Sequence, residues 1–131
     1  MIGADTNVLV RAFLEDDLQQ AKKAERFLNN TAALGELFIS SYALLEFVLV
    51  LKVKKFSRKE VYEALMTLTD SPGILIGQKE IVLNAAEKYI KGQADFGDYM
   101  IMAEGENNGC HKLATFDQAI LSESKASHMP E

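Results

Sequence analysis

Four carboxylates in this chain sit where an ordinary core-and-surface pattern would not put them. Asp5 follows the apolar start Ile2-Gly3-Ala4 and opens a polar run, Asp5-Thr6-Asn7, after which Val8, Leu9 and Val10 resume the apolar pattern at once. Asp117 ends a similar sequence, Thr115-Phe116-Asp117, behind Leu113 and Ala114. Glu46 interrupts the longest apolar stretch, Tyr42 to Leu51. That stretch predicts a buried helix, where an isolated ionised carboxylate is costly without partners. Asp98 lies three residues after Asp95 in ADFGDYMIMAE. The pair straddles an expected helix start, on one side of its first turn, where helix amides favour negative charge.

Should these acids converge, each pair about 4 Å apart would repel by about 4 kcal/mol at an effective dielectric of 20. Protons or a cation must then offset the repulsion. Oxygen-only ligands suit Mg²⁺ or Mn²⁺ better than zinc, which prefers nitrogen and sulfur. Such an ion acidifies a bound water and neutralises charge on phosphate oxygens, so the chemistry indicated is phosphodiester hydrolysis by a metal-activated water.

Each acid also has an ordinary structural reading. Asp5, Asp95, Asp98 and Asp117 all suit helix starts, and Glu46 could pair with Arg11. Four such coincidences favour a site. His111, near a strand start, and His128, in the polar tail, have no place in it. A phosphatase using Asp5 as nucleophile would want a second acid two residues on, where Asn7 stands. A non-catalytic metal-binding switch or partner-binding module of receiver-like α/β fold is the alternative from another class. It calls for an early acid pair and a later lysine after a strand, and neither is clear.

The elements that must position these residues are legible in outline. Ile2 to Asp5 reads as a buried strand and the following stretch to Leu14 as a helix. Asp17 opens a second helix, with Leu18, Ala21, Ala24, Phe27 and Leu28 inward and Lys22, Lys23 and Arg26 outward. Leu37 to Ile39 is a strand, and Ser40 or Ser41 caps the Glu46 helix. Ser57-Arg58-Lys59-Glu60 has capping-box form, and its helix stops near Asp70-Ser71-Pro72-Gly73. Ile74 to Ile76 is a third strand. Helices then run from about Lys79 to Lys91 and from about Phe96 to Asn107, before a strand at Lys112 to Thr115 and a short helix from Asp117. Alternating short strands and helices predict a doubly wound parallel sheet, in which ligands bind beyond the carboxyl ends of the strands.

At 131 residues with 48% hydrophobic composition, the chain is long enough for a core of its own. The expected organisation is one domain over residues 1–121, with a loose polar tail at 122–131. No apolar stretch reaches the roughly 20 residues of a membrane span. The start lacks a signal-peptide pattern, and a single cysteine, Cys110, cannot form an internal disulfide. A cytoplasmic location is expected. The net charge of −5 argues against coating nucleic acid through bulk electrostatics. Locally, Lys52, Lys54, Lys55, Arg58 and Lys59 form an acid-free basic run directly after the Glu46 helix. With Arg11, they are candidate phosphate contacts for RNA.

Taken in order, DTNVLVR at 5–11, LLE at 44–46, ADFGDYMIMA at 94–103 and TFD at 115–117 resemble the PIN-domain ribonucleases, particularly the VapC-type toxins of toxin-antitoxin pairs. The resemblance covers essentially the whole chain. It implies a three-layer α/β/α sandwich around a short central parallel sheet of four to five strands. Asp5, Glu46, Asp98 and Asp117 become the acidic quartet around Mg²⁺ or Mn²⁺. Thr6, Asn7 and Thr115 become residues that orient acids or waters, and Asp95 a companion of the third acid. The implied activity is endoribonuclease, with RNA as substrate, a cognate antitoxin protein as inhibitor and a homodimer as assembly. Many relatives add an edge strand after the TFD segment, for which Ser122 to Glu131 offers little apolar alternation.

Overall fold

Apolar segments of two or three residues are long enough for strands only if each is paired at once, and parallel pairing needs a helical crossover between partners. The computed structural model, which describes residues 1–131, meets both conditions. The chain divides into two compact units, Met1–Lys79 and Glu80–Glu131.

In the first unit, β1 (Ile2–Gly3), α1 (Thr6–Leu14), α2 (Leu18–Ala33), β2 (Leu37–Ile39), α3 (Ser41–Val53), α4 (Arg58–Thr69) and β3 (Ile74–Ile76) follow one another. The strands form one parallel sheet in the order β1-β2-β3, with Ile2 opposite Leu37 and Leu37 opposite Ile74. Leu37 and Ile39 project from the same face of β2 because strand side chains alternate, and both are fully buried. Leu75, between Ile74 and Ile76, points the other way and is exposed.

Packing of α1 against α2 and α3 sets the position of the first polar run. Phe13, near the end of α1, meets Phe47 edge-to-face at 5.6 Å and Phe56 at the same centroid distance. Aromatic pairs of this geometry add to plain area burial, and here they tie α1 to α3 and to the turn that follows it. That turn ends in the capping box read from the sequence: Glu60 N–H donates to Ser57 Oγ at 3.1 Å, and Ser57 N–H to Glu60 Oε1 at 2.9 Å. Asp17 caps α2 and Ser40 caps α3, each accepting amides of its helix's first turn.

The second unit contains α5 (Lys79–Lys91, of which Lys79 belongs to the first unit), α6 (Phe96–Asn107), β4 (Leu113–Ala114), α7 (Gln118–Glu123) and β5 (Ser127–His128). Its core includes Ile81, Val82, Ala85, Ala86 and Tyr89 of α5 with Phe96, Tyr99, Met102 and Ala103 of α6. Strands β4 and β5 pair in parallel, Leu113 opposite Ser127 and Ala114 opposite His128. The tail expected to be loose therefore carries a fifth strand. Apolar alternation does not hold it. Leu113 N–H donates to Ala126 O at 2.7 Å, Thr115 N–H to His128 O at 3.0 Å, and the Ser127 hydroxyl lies 2.7 Å from Ser124 O. The fold class is α/β, with seven helices and parallel sheets of three and two strands. No helix is long and apolar enough to cross a membrane.

Three other expectations need correcting. Strand β1, expected to be buried, is exposed at both Ile2 and Gly3. Leu18, the first inward position assigned to α2, is exposed, because at the helix start it lies ahead of the packed stretch that begins at Ala21. The α3 helix is buried on one side only: Leu44, Phe47, Val48 and Leu51 are core, whereas Tyr42, Leu49 and Val53 are exposed. A helix apolar all round hides which side faces the core.

Gly73, at φ +82° between α4 and β3, is the tightest backbone approach of the first unit. A Cβ there would overlap the Ala32 carbonyl oxygen and lie 2.8 Å from its carbon. Gly73→Ala combines a left-handed backbone with a clash against main chain, and is expected to destabilise the protein by about 2 kcal/mol or more; urea unfolding at unchanged m-value is the check.

Candidate active site

The end of β1 leads within two residues into α1, so the first amides of α1 need an acceptor as the chain changes direction. Asp5 supplies it: it is the N-cap, in extended backbone, and its Oδ1 accepts from Thr6 N–H at 2.7 Å. Its side chain is exposed, as is Asn7, while Thr6 between them is buried. The alternation sends the acid and the amide to solvent and the hydroxyl inward.

Inward, Thr6 meets α3. Its hydroxyl donates to Glu46 Oε2 at 3.1 Å and lies 3.4 Å from the carbonyl of Ala43. Residues 40 positions apart are thereby joined, and Glu46 is fixed next to the turn that carries Asp5. Glu46 is exposed, which corrects the expectation of a buried carboxylate: α3 turns its glutamate outward on the same side as Tyr42, Leu49 and Val53. The carboxylate keeps its hydration and avoids the cost that burial would impose.

In the second unit, Asp95 is the N-cap of α6 and is exposed, and Asp98 lies in the first turn, half-buried. The spacing reading of this pair as a helix start is correct. Asp117 is the N-cap of α7, and its Oδ1 accepts from Ile120 N–H at 2.9 Å. Thr115 Oγ1 accepts from Asp117 N–H at 3.0 Å, so this threonine orients its acid through the backbone. Ile120, fully buried, anchors the short helix.

Two of the quartet, Asp5 and Glu46, belong to the first unit, and two, Asp98 and Asp117, to the second. Within each unit no three His, Cys, Asp or Glu side chains are grouped to hold a metal ion. The donors are nonetheless all carboxylate oxygens, the set that a hard divalent cation takes. Of the candidate phosphate contacts, Arg11, Lys52, Lys54, Lys55 and Lys59 are exposed and Arg58 is half-buried. All but Arg11 follow or end α3, on its C-terminal side and through the first turn of α4.

A family model for the PIN domain matches residues 3–123, which takes in all four acids and both units. The chain belongs to the PIN domain family. No curated protein and no solved structure matches it. PIN domains are generally nucleases that use divalent metal ions, so the family and the donor chemistry agree. Sequence reasoning missed Glu123, whose carboxylate receives hydrogen bonds from the α5–α6 loop and from α6. No local signal marks it, since an exposed glutamate at the end of a short helix looks like any other.

The capping role of Asp117 separates its structural from its chemical contribution. Asparagine caps about as well as aspartate, whereas alanine loses about 1 kcal/mol. Asp117→Asn is therefore expected to melt close to wild type and Asp117→Ala measurably lower, by calorimetry.

Proposed function

We infer that this PIN domain is a metal-dependent endoribonuclease and the toxin of a toxin-antitoxin pair, with Asp5, Glu46, Asp98 and Asp117 as its acidic quartet. The observation that carries this reading is the bond from Thr6 to Glu46. It brings an acid from the middle of α3 to the strand-end turn of Asp5, which structural capping alone does not require.

On this reading Mg²⁺ or Mn²⁺ is held by the quartet, and when bound it supplies the positive charge that phosphodiester hydrolysis needs at the attacking water and the phosphate. The chain's own part is to hold four carboxylates against their mutual repulsion. Thr6 does so for Glu46 by hydrogen bonding to one carboxylate oxygen. Thr115 holds the backbone of Asp117, Asn7, exposed beside Asp5, orients waters, and Asp95 at the α6 N-cap accompanies Asp98. The exposed lysines after α3, with Arg11, give an otherwise acidic protein a local surface for the RNA backbone. A cytoplasmic location fits that substrate.

The partner proposals rest on the resemblance to VapC-type toxins. A homodimer is the proposed assembly. A cognate antitoxin is the proposed inhibitor.

Asp5→Asn and Asp98→Asn are each expected to lower Mg²⁺- or Mn²⁺-dependent RNA cleavage at least about a hundred-fold. Asp5→Asn should leave the fold intact, because asparagine still caps α1. Full activity in both variants, assayed on RNA with end mapping, would refute the assignment. Expression of the wild type should be toxic and relieved by the product of the neighbouring gene; persistent toxicity in its presence would count against the antitoxin.

A further inference from the structure

The segment that carries Asp95 and Asp98 is held to α7, which Asp117 caps, by a hydrogen-bond clamp built on Glu123, a residue outside every sequence motif. Glu123, the last residue of α7, accepts from Gln93 N–H through Oε1 at 2.6 Å and from the Tyr99 hydroxyl through Oε2 at 2.5 Å. The same Tyr99 oxygen accepts from Ala94 N–H at 3.1 Å. Two consecutive amides just before the α6 N-cap are thus satisfied by one carboxylate and the phenol bonded to it.

Tyr99 and Ala94 are buried, so the Tyr99 hydroxyl and the Ala94 N–H have little access to water and are satisfied within the protein. Glu123 itself is exposed and keeps its charge hydrated while accepting two charge-assisted bonds, so desolvation subtracts little from the clamp. Gly92 completes it. A Cβ at that position would run into the Tyr99 hydroxyl and lie 2.7 and 2.9 Å from the Glu123 carboxylate oxygens. A side chain at this position would have to displace the Tyr99 hydroxyl and the Glu123 carboxylate from the clamp.

Tyr99 follows Asp98 directly, and its phenol reaches back across the first turn of α6 to Ala94. Fixing that ring fixes the turn from which Asp98 projects. We propose that Glu123 and Tyr99 are positioning residues of the acid site, holding the α6 start to α7 so that Asp98 and Asp117 keep one mutual geometry for a divalent cation. This rests on the nuclease reading above for the identity of the acids, but the clamp itself does not.

The test uses the full chain carrying Glu123→Gln, Tyr99→Phe or both, with Mn²⁺ as the probe. Tyr99→Phe keeps the ring packed, and Glu123→Gln changes only an exposed side chain. Either single variant is expected to weaken Mn²⁺ affinity by calorimetry about ten-fold, and the double variant little further, because both cut the same connection. Amide exchange by NMR should quicken at Gln93 in Glu123→Gln and at Ala94 in Tyr99→Phe. A merely structural role would lower the melting temperature and leave the affinity of the folded protein alone. Wild-type Mn²⁺ affinity in both variants would overturn the proposal. Failure of the wild-type chain to bind Mn²⁺ would instead sink the nuclease reading. Exchange rates would then decide the clamp: acceleration at those amides supports it, and unchanged rates overturn it.

Discussion

Where β1, β2, β3 and β4 end in this protein, a helix begins within a few residues, and the first amides of such a helix need acceptors. Asp5 after β1, Ser40 after β2 and Asp117 after β4 all answer this demand. In a parallel sheet such junctions fall beyond the carboxyl ends of the strands, the same place where α/β folds bind ligands. Capping and chemistry therefore compete for the same positions. A short polar side chain that begins as a cap is already close to where a charged ligand would sit, which is why the structural and functional readings of the acids overlap and neither excludes the other.

Thr6 shows how little is needed to turn a cap into part of a site. Asp5 alone would be an ordinary helix start. Because the neighbouring residue is a buried threonine and α1 is locked against α3 by the Phe13, Phe47 and Phe56 rings, the hydroxyl has a fixed reach, and Glu46 is at the end of it. A flexible α1 would hold the same side chains without holding the distance between them. Aromatic packing near one end of α1 thus holds the helix from whose other end Thr6 makes its polar contact.

The second unit solves the corresponding problem by hydrogen bonding. Its β4–β5 pair is only two residues long, too short for a sheet to impose order by apolar area. Thr115, Ser127 and Glu123 instead connect strand, helix and loop through polar atoms, with Ile120 as the single buried plug of α7. Polar networks of this kind are directional where apolar burial is not, so a small number of bonds can hold α7 to the loop before α6.

Local chemistry made most of the elements readable in advance. The caps at Asp17, Ser40, Ser57 and Asp117, the stop at Gly73 and the helical spacing in α5 and α6 follow from neighbours within a turn or two, and the ordered acidic motifs were enough to indicate the family. What the tertiary structure decided lies at longer range. Spacing says which residues share a face but not whether another element covers that face. The outward Glu46, the exposed Tyr42, Leu49 and Val53 on an apolar helix, and the exposed Leu18 therefore had to be seen. Strand β5 and the Glu123 clamp were hidden for a related reason: backbone pairing and a side chain accepting from residues 24 and 30 positions away leave no periodic mark, because hydrogen bonds select geometry in space and impose no pattern on residue type along the chain.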